Sequence, residues 1–298
     1  ILAPLQELGT IILAWREASS SMANFAELVA KPGDQRPKDA VHIGPIESLR
    51  FENVVFRHRG ADENALDGVS FEARRGDTIA FVGPSGSGKS TLVKLLLGLY
   101  RQSDGEVFFN EVSTRRLRYN EARRQVGYVT QETTLFAGTV RENMLFVRPD
   151  ATDAQILRAL EQAQCATLLQ RLPKGLDTMV GEAGMRLSGG ERQRLSIARS
   201  LLRGPRLLIF DEATSALDSL TERQVTETVR QISEHRTQIT LLIAHRLSTV
   251  LHADTIYVLE QGRIVEQGSH AQLLELRGLY YAMWRQQVAE GPLPTSLA

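Results

Sequence analysis

One cysteine, Cys165, stands in the 298 residues of this chain. A lone cysteine excludes an internal disulfide framework and suits a reducing compartment. The role expected of it is that of a small buried hydrophobe rather than a reactive thiol. An excess of charge of one sign is missing too, because 35 Lys and Arg cancel 35 Asp and Glu. Binders of duplex DNA carry a basic excess, so this balance argues against a nucleic-acid partner. No stretch reaches the ~18 apolar residues that a bilayer crossing needs, and the candidate Ile11 to Trp15 is ended by Arg16 and Glu17. No succession of basic, apolar and small-residue zones opens the chain as in a signal peptide, and the first residue is Ile1 rather than methionine. The expectation is therefore a piece cut from something longer. Internal repeats and low-complexity tracts are also lacking. What remains is 42% hydrophobic and 23% charged residues, enough for a sizeable core in one large domain or two ordinary ones.

Residues 1 to about 30 read as a helix, followed by a polar, proline-bearing linker, KPGDQRPKD. From Glu47 the pattern changes to strands. LRFENVVF alternates apolar and polar residues as a half-buried strand does, and VSFEARRGDTIAFVG gives two strands around a Gly76 turn. Apolar strands VGYVT, RLLIF and QITLLIAH then alternate with helices, which points to a mostly parallel sheet covered on its faces. A helical block between Thr139 and Leu172, with a capping box at Thr152 and Gln155, interrupts that alternation. DTIYVLEQGRIVEQG is a hairpin around Gln261-Gly262, and Ser269 with Gln272 caps a last helix.

Strand IAFVG runs into Gly83-Pro84-Ser85-Gly86-Ser87-Gly88-Lys89-Ser90, a G-x-x-x-x-G-K-[ST] phosphate loop in the required strand–loop–helix context. Its glycines let successive backbone N–H groups face phosphates, and the helix behind presents its positive N-terminus. Lys89 is placed to reach the β- and γ-phosphates of ATP, and the Ser90 hydroxyl to ligate Mg²⁺. Phosphoryl transfer also needs a carboxylate at a strand end. Arg206-Leu207-Leu208-Ile209-Phe210-Asp211-Glu212 supplies Asp211 for the metal and Glu212 for the attacking water, although two acids in that position can also simply cap the next helix.

Leu187-Ser188-Gly189-Gly190-Glu191, followed by RQRLSIARSLL, resembles the signature of ABC ATPases. Read for itself, Ser188 with Glu191 is a capping box and the glycines open the helix N-terminus to a ligand. The resemblance extends over residues 47 to about 288. Gln131, in VTQETTLF, resembles the Q-loop glutamine that touches Mg²⁺. Ser215-Ala216-Leu217-Asp218 resembles the D-loop, with Ser219 and Glu222 capping the helix behind it. His245, otherwise an ordinary strand-end histidine, matches the switch residue that contacts the γ-phosphate.

The resemblance implies a P-loop NTPase core with an N-terminal antiparallel β subdomain and an inserted helical signature subdomain at about 135–200. It also implies an ATPase using Mg²⁺, with ATP held by residues 83–90, Thr91, Gln131, Asp211 and His245. In a head-to-tail homodimer the partner's Ser188, Gly189, Gly190, Glu191 and Asp218 would complete the site. Lys89, Gln131, Glu212 and His245 would serve the chemistry, and Ser90, Gln131 and Asp211 the metal. One position departs from the family: His58 stands where a tyrosine commonly stacks on adenine, and is either a weaker stacking group or a solvated strand-end histidine.

Three stretches resemble exporters rather than importers: Val180-Gly181-Glu182-Ala183-Gly184 (the X-loop), LFAGTVRENMLF, and an N-terminus like the cytosolic end of a last transmembrane helix. The expectation is an exporter ATPase at the cytosolic face of a membrane. The division expected is 1–46 helix end and linker, 47–288 ATPase and 289–298 tail. The alternatives are an importer subunit, or a non-transport ABC ATPase acting on DNA or ribosomes.

Overall fold

A computed structural model describes residues 2–30, 39–131, 133–181, 184–185, 187–213 and 218–290. The chain divides into two units, Ile1–Ala40 and Val41–Ala298. The described part of the first is one helix, α1 (Leu2–Ala30), rich in good helix formers. Its large apolar side chains, among them Ile11, Trp15, Met22 and Phe25, are exposed. Among the described residues no helix is long and apolar enough to cross a membrane. The linker at 31–38 lies outside the described residues.

The second unit opens with β1 (Ser48–Phe56), whose Leu49, Phe51, Val54 and Phe56 are buried. A bulge at Asn53, with φ 46°, resets the alternation so that both halves of the strand face inward. β2 (Leu66–Arg74) pairs with it antiparallel. At Gly76 (φ 95°) the chain turns into the second sheet and begins β3 (Thr78–Val82), buried at all five positions. After α2 (Lys89–Leu96), β4 (Asp104–Phe109) and β5 (Val112–Ser113) return to the first sheet. They are joined at Asn110 and Glu111, both with positive φ, the geometry of a tight two-residue hairpin. This hairpin was not foreseen from the sequence.

α3 (Tyr119–Arg124) leads to β6 (Val126–Val129). The helical block follows as the short strand β7 (Gly138–Thr139), α4 (Val140–Leu145), α5 (Asp153–Gln162), α6 (Ala166–Arg171), β8 (Met179–Val180) and α7 (Gly189–Leu202). Cys165 is buried here, and burial pushes its thiol up to about 12, so it behaves as an inert hydrophobe. The core resumes with β9 (Leu207–Asp211), α8 (Ser219–Glu234), β10 (Ile239–Ile243), β11 (Thr255–Glu260), β12 (Arg263–Gly268), α9 (His270–Leu276) and α10 (Leu279–Glu290).

The first sheet runs β2-β1-β4-β5, all antiparallel; the second runs β12-β11-β3-β10-β9-β6, parallel except for the β11–β12 hairpin. The parallel strands read as unbroken apolar runs because both faces are covered. Ile79, Phe81, Leu207, Ile209 and Leu241 face a core shared with α2 and the antiparallel sheet. Ala80, Val82, Leu208, Phe210 and Leu242 face a second core shared with the helical block, α8, α9 and α10. This α/β architecture, with an antiparallel subdomain and an inserted helical block, is the fold class expected from the sequence.

Capping boxes close α5 at Thr152/Gln155, α7 at Ser188/Glu191 and α9 at Ser269/Gln272, as read, and a further one closes α4 at Thr139/Glu142. α8 is a correction. Its cap is Asp218, which accepts from the Thr221 amide at 3.0 Å, and not Ser219. A Ser219–Glu222 box needs the Glu222 carboxylate to reach back, but that carboxylate is paired with Arg246.

Candidate active site

Because β3, β10, β9 and β6 are parallel neighbours, their C-terminal ends share one edge of the sheet, where ligands bind in α/β folds. The loops leaving that edge carry the phosphate loop, His245, Asp211 with Glu212, and Gln131.

The phosphate loop is glycine-dependent for two separate reasons. Gly88 has φ 106°, a conformation that side chains rarely adopt, and a Cβ there would lie 2.4 Å from the Ala65 carbonyl. A Cβ on Gly83 would lie 2.0 Å from the Leu259 carbonyl. The loop is pinned from outside, since the Gly262 amide donates to Ser87 O at 3.2 Å and Asp67 N to Gly262 O at 2.8 Å. The N-cap of α2 is Gly88, which makes no side-chain cap, so the first amides of the helix are offered to a ligand.

Lys89 is buried, and its ammonium donates to Gly83 O (2.8 Å), Pro84 O (2.9 Å) and Ser87 Oγ (3.3 Å). These are neutral acceptors, and among the described residues no carboxylate lies within ion-pair distance of Nζ. Burial pulls its pKa below the ordinary lysine value, and the negative charges of Glu212 and Asp211 offset this in part. A desolvated cation in a cup of neutral oxygens is a site waiting for an anion.

At the end of β9 the two acids separate. Asp211 Oδ2 accepts from the Tyr128 hydroxyl on neighbouring β6 at 2.8 Å. Burial, then this bond and the Asp211 charge, hold the phenol well above its ordinary pKa, so it stays a donor. The next residue, Glu212, has φ 51°, strained for a side-chain-bearing residue. Its amide donates to Ile243 O at 2.9 Å. The carboxylate, turned away from that of Asp211 by this kink, lies 2.9 Å from His245 Nε2. A carboxylate only accepts, so the proton of this contact is on Nε2.

Gln131 is exposed on the bend after β6, and α7 holds that bend on both sides. Gln193, buried on α7, donates through Nε2 to Thr130 O (3.3 Å) and accepts through Oε1 from the Thr133 hydroxyl. Arg199 Nη1 donates to Thr134 O at 2.9 Å.

At the start of α7, Ser188 Oγ accepts from the Glu191 amide at 3.2 Å, and Glu191 Oε2 accepts from Ser188 N at 2.8 Å. Glu191 Oε1 is paired with Arg171, so both carboxylate oxygens serve the cap and its support. A Cβ on Gly190 would lie 2.2 Å from Thr221 Cγ2, so its small size is required by α8 packing closely on α7. None of these partners belongs to the phosphate loop. Ser215, Ala216, Leu217, Glu182 and Ala183 lie outside the described residues.

His58 is exposed at the end of β1, edge-on to Phe56 (4.9 Å between ring centroids) and to Tyr100 (5.5 Å). Phe56 and Tyr100 stack on each other at 4.9 Å. Tyr100, beside His58, and Tyr128, beside Asp211, are aromatic residues that sequence reading passed over. In Tyr128 the available signal was a lone hydroxyl in an otherwise apolar strand.

A model of the ABC transporter family matches residues 66–215. The chain belongs to the ABC transporter family. It carries the ATP-binding and ATP-hydrolysing domain of such transporters, and relatives include several exporters. It is 42% identical over 290 residues to an "ATM1-type heavy metal exporter" of Novosphingobium aromaticivorans, covering 96% of this chain and 47% of that protein. It is 44% identical over 242 residues to an "ATP-dependent lipid A-core flippase" of a Shewanella species, covering 80% of this chain and 40% of the relative. Among solved ABC transporters, a bacterial Atm1-family ABC exporter with ATP bound superposes with a TM-score of 0.82 at 40% identity, over 98% of this chain and 51% of that one. The chain thus spans about half, or less, of the length of these relatives.

Proposed function

We propose that this ATPase domain drives export across a membrane, as one half of a dimer that ATP closes. The observation that carries the reading is Lys89, buried among neutral oxygens at the foot of an uncapped helix. A nucleotide's β- and γ-phosphates would supply the missing charge, with the amides of residues 85–91 around them. His58 would flank the adenine.

The residues present also fit Mg²⁺. A magnesium ion needs few protein ligands and takes the rest from phosphates and water. Ser90 at the start of α2, Asp211 through Oδ1, and Gln131 would hold it. When bound, the ion neutralises charge developing on the phosphates. His245 would exchange its partner on ATP binding: Nε2–H leaves Glu212 and donates to a γ-phosphate oxygen. Glu212 is then released to orient the attacking water and accept its proton.

The dimer reading rests on the signature. Ser188, Gly189 and Gly190 sit at the N-terminus of a 14-residue helix, and their contacts run to α7, α8 and Arg171 rather than to their own phosphate loop. A second copy arranged head to tail, with Glu191 bracing the cap and Asp218 beside it, would bring its own ATP there. The division we adopt is 1–46 as the end of a last membrane helix and linker, 47–288 as the ATPase with its helical subdomain at about 135–200, and 289–298 as the tail. The exposed apolar side chains of α1 are those expected of a membrane-helix end, and agree with an ATPase at the cytosolic face beneath its membrane domain.

Glu212→Gln tests the reading. It should bind ATP yet lose about 10²–10⁴-fold of its phosphate release. By sedimentation velocity it should pass from monomer to dimer when ATP is added, and Ser188→Arg should abolish that shift. A Glu212→Gln protein that hydrolyses normally removes Glu212 from the chemistry, and a Ser188→Arg variant that still dimerises removes the signature from the interface.

A further inference from the structure

α10 ends the described chain and takes no part in the phosphate site, but one of its side chains reaches the switch loop. The helix is docked firmly. Tyr280 is fully buried, its hydroxyl 2.7 Å from His270 Nδ1, and Met283 and Trp284 pack against the core around it. The Glu266 carboxylate accepts from the first amides of the helix, Leu279 and Tyr280. Residues 280, 283, 284 and 287 form one face at the spacing i, i+3, i+4, i+7. The first three positions are aromatic or apolar, and the fourth is Gln287.

Gln287 uses both ends of its amide on the loop after β10. Nε2 donates to the His245 carbonyl at 2.6 Å, and Oε1 accepts from the Leu247 amide at 2.8 Å. A backbone carbonyl only accepts and an amide N–H only donates, so this pair of bonds fixes the orientation of the side chain. Between the two anchored residues, Arg246 pairs with Glu222 on α8. The loop that begins at His245 is therefore held from two separate helices, and from that backbone the imidazole reaches Glu212.

We infer that Gln287 is a positioning residue for the switch histidine: it sets where His245 Nε2 stands relative to Glu212 and to the γ-phosphate. The inference rests on the reading of His245 given above. Because the clamp comes from the C-terminal helix, the catalytic edge of the sheet is completed by the last described element of the chain. Both bonds end on the backbone of residues 245 and 247 and neither involves the phosphate loop, so Gln287 affects the geometry of turnover and not the capture of ADP.

Three variants of the full chain test this: Gln287→Met, of similar length but unable to make either bond; Gln287→Glu, which retains an acceptor for Leu247 but cannot donate to the His245 carbonyl; and His245→Ala. Steady-state phosphate release, ADP affinity and thermal midpoint are measured for each, and for the Gln287→Met/His245→Ala double variant. Both Gln287 variants should lose about tenfold in kcat, within the ~10²-fold cost of ångström-scale misplacement, with ADP affinity unchanged. The double variant should turn over no more slowly than His245→Ala. Where the turnover of His245→Ala is too low for that comparison, histidine ring NMR replaces it, and the His245 signal should move in Gln287→Met while that of His42 stays in place. If His245→Ala hydrolyses like the wild type, the role given to His245 is wrong. If it is impaired but both Gln287 variants keep wild-type kcat, or the two losses multiply, or the His245 signal does not move, Gln287 does not position the histidine.

Discussion

Tyr128, on β6, donates its phenolic hydrogen across 2.8 Å to Asp211 Oδ2 on the adjacent strand β9. A hydrogen bond to a charged group contributes about 1.5–3 kcal/mol, and this one fixes the rotation of the carboxylate we assign to Mg²⁺. Tyr128→Phe should raise the Mg²⁺ concentration needed for half-maximal hydrolysis by about tenfold, the equivalent of ~1.4 kcal/mol, while leaving the fold intact. A Mg²⁺ titration that is unchanged, or tighter, would reduce the phenol to a packing group.

Gly190 is explained by packing, and this has its own test. Gly190→Ala places a methyl group 2.2 Å from Thr221 Cγ2. Overpacking of this kind costs about 1–3 kcal/mol. Urea unfolding should show that loss, and Thr221→Ser, which deletes Cγ2, should restore most of it in the double variant. A double variant no more stable than Gly190→Ala would place the constraint elsewhere.

His58 sits edge-on to Tyr100 and Phe56, exposed and roughly perpendicular to both rings. If it stacks on adenine, His58→Tyr should keep or tighten ATP binding, and His58→Ala should weaken it by ~1 kcal/mol. Titration with a fluorescent nucleotide compares the three proteins, and equal affinities would assign the base to another group.

His252 carries a pH dependence. Among the described residues its buried Nε2 has no hydrogen-bond partner. Burial first, and then the positive charge of Arg230, lower its pKa below the ordinary 6.5, against smaller opposing effects of Glu234, Asp254 and Glu227. The unfolded chain thus takes up this proton at a higher pH than the folded one. The stability tied to neutral His252 is complete above about pH 6.5 and is lost as pH falls from there through the folded-state value. Between pH 7.5 and 5.5 the thermal midpoint of His252→Asn should fall less than that of the wild type. Parallel declines would show that the histidine is not responsible.

The phosphate loop, the β9 acids and three of the helix caps were legible in the sequence because each is a local pattern: glycines where the backbone needs them, and side chains that cap within four residues. What escaped depends on partners far along the chain. Ser219 and Glu222 have the spacing of a capping box, but Arg246 takes the glutamate and the cap passes to Asp218. Tyr128 is one more β-forming residue until the sheet order sets it beside Asp211. The β4–β5 hairpin turns on Asn110 and Glu111, and Asn110 Oδ1 is engaged by the Glu47 and Ser48 amides at the start of β1. Gln287 looks like one polar residue in a terminal helix, and only its contacts at 245 and 247 give it a use.

β3, the strand that launches the phosphate loop, lies between β10 and β11, whose residues begin only at Ile239 and Thr255. On the ribosome it would emerge long before either neighbour, with apolar side chains on both faces and no backbone partner. At roughly 5–20 residues per second, that interval lasts on the order of ten seconds or more. Such long-range parallel pairing also folds slowly once the chain is complete. During synthesis the five residues Thr78–Val82 are therefore an exposed, aggregation-prone segment, one that a chaperone would have reason to cover. A polypeptide released before residue 239 would hold every atom of the phosphate loop and neither of the strands that flank its base.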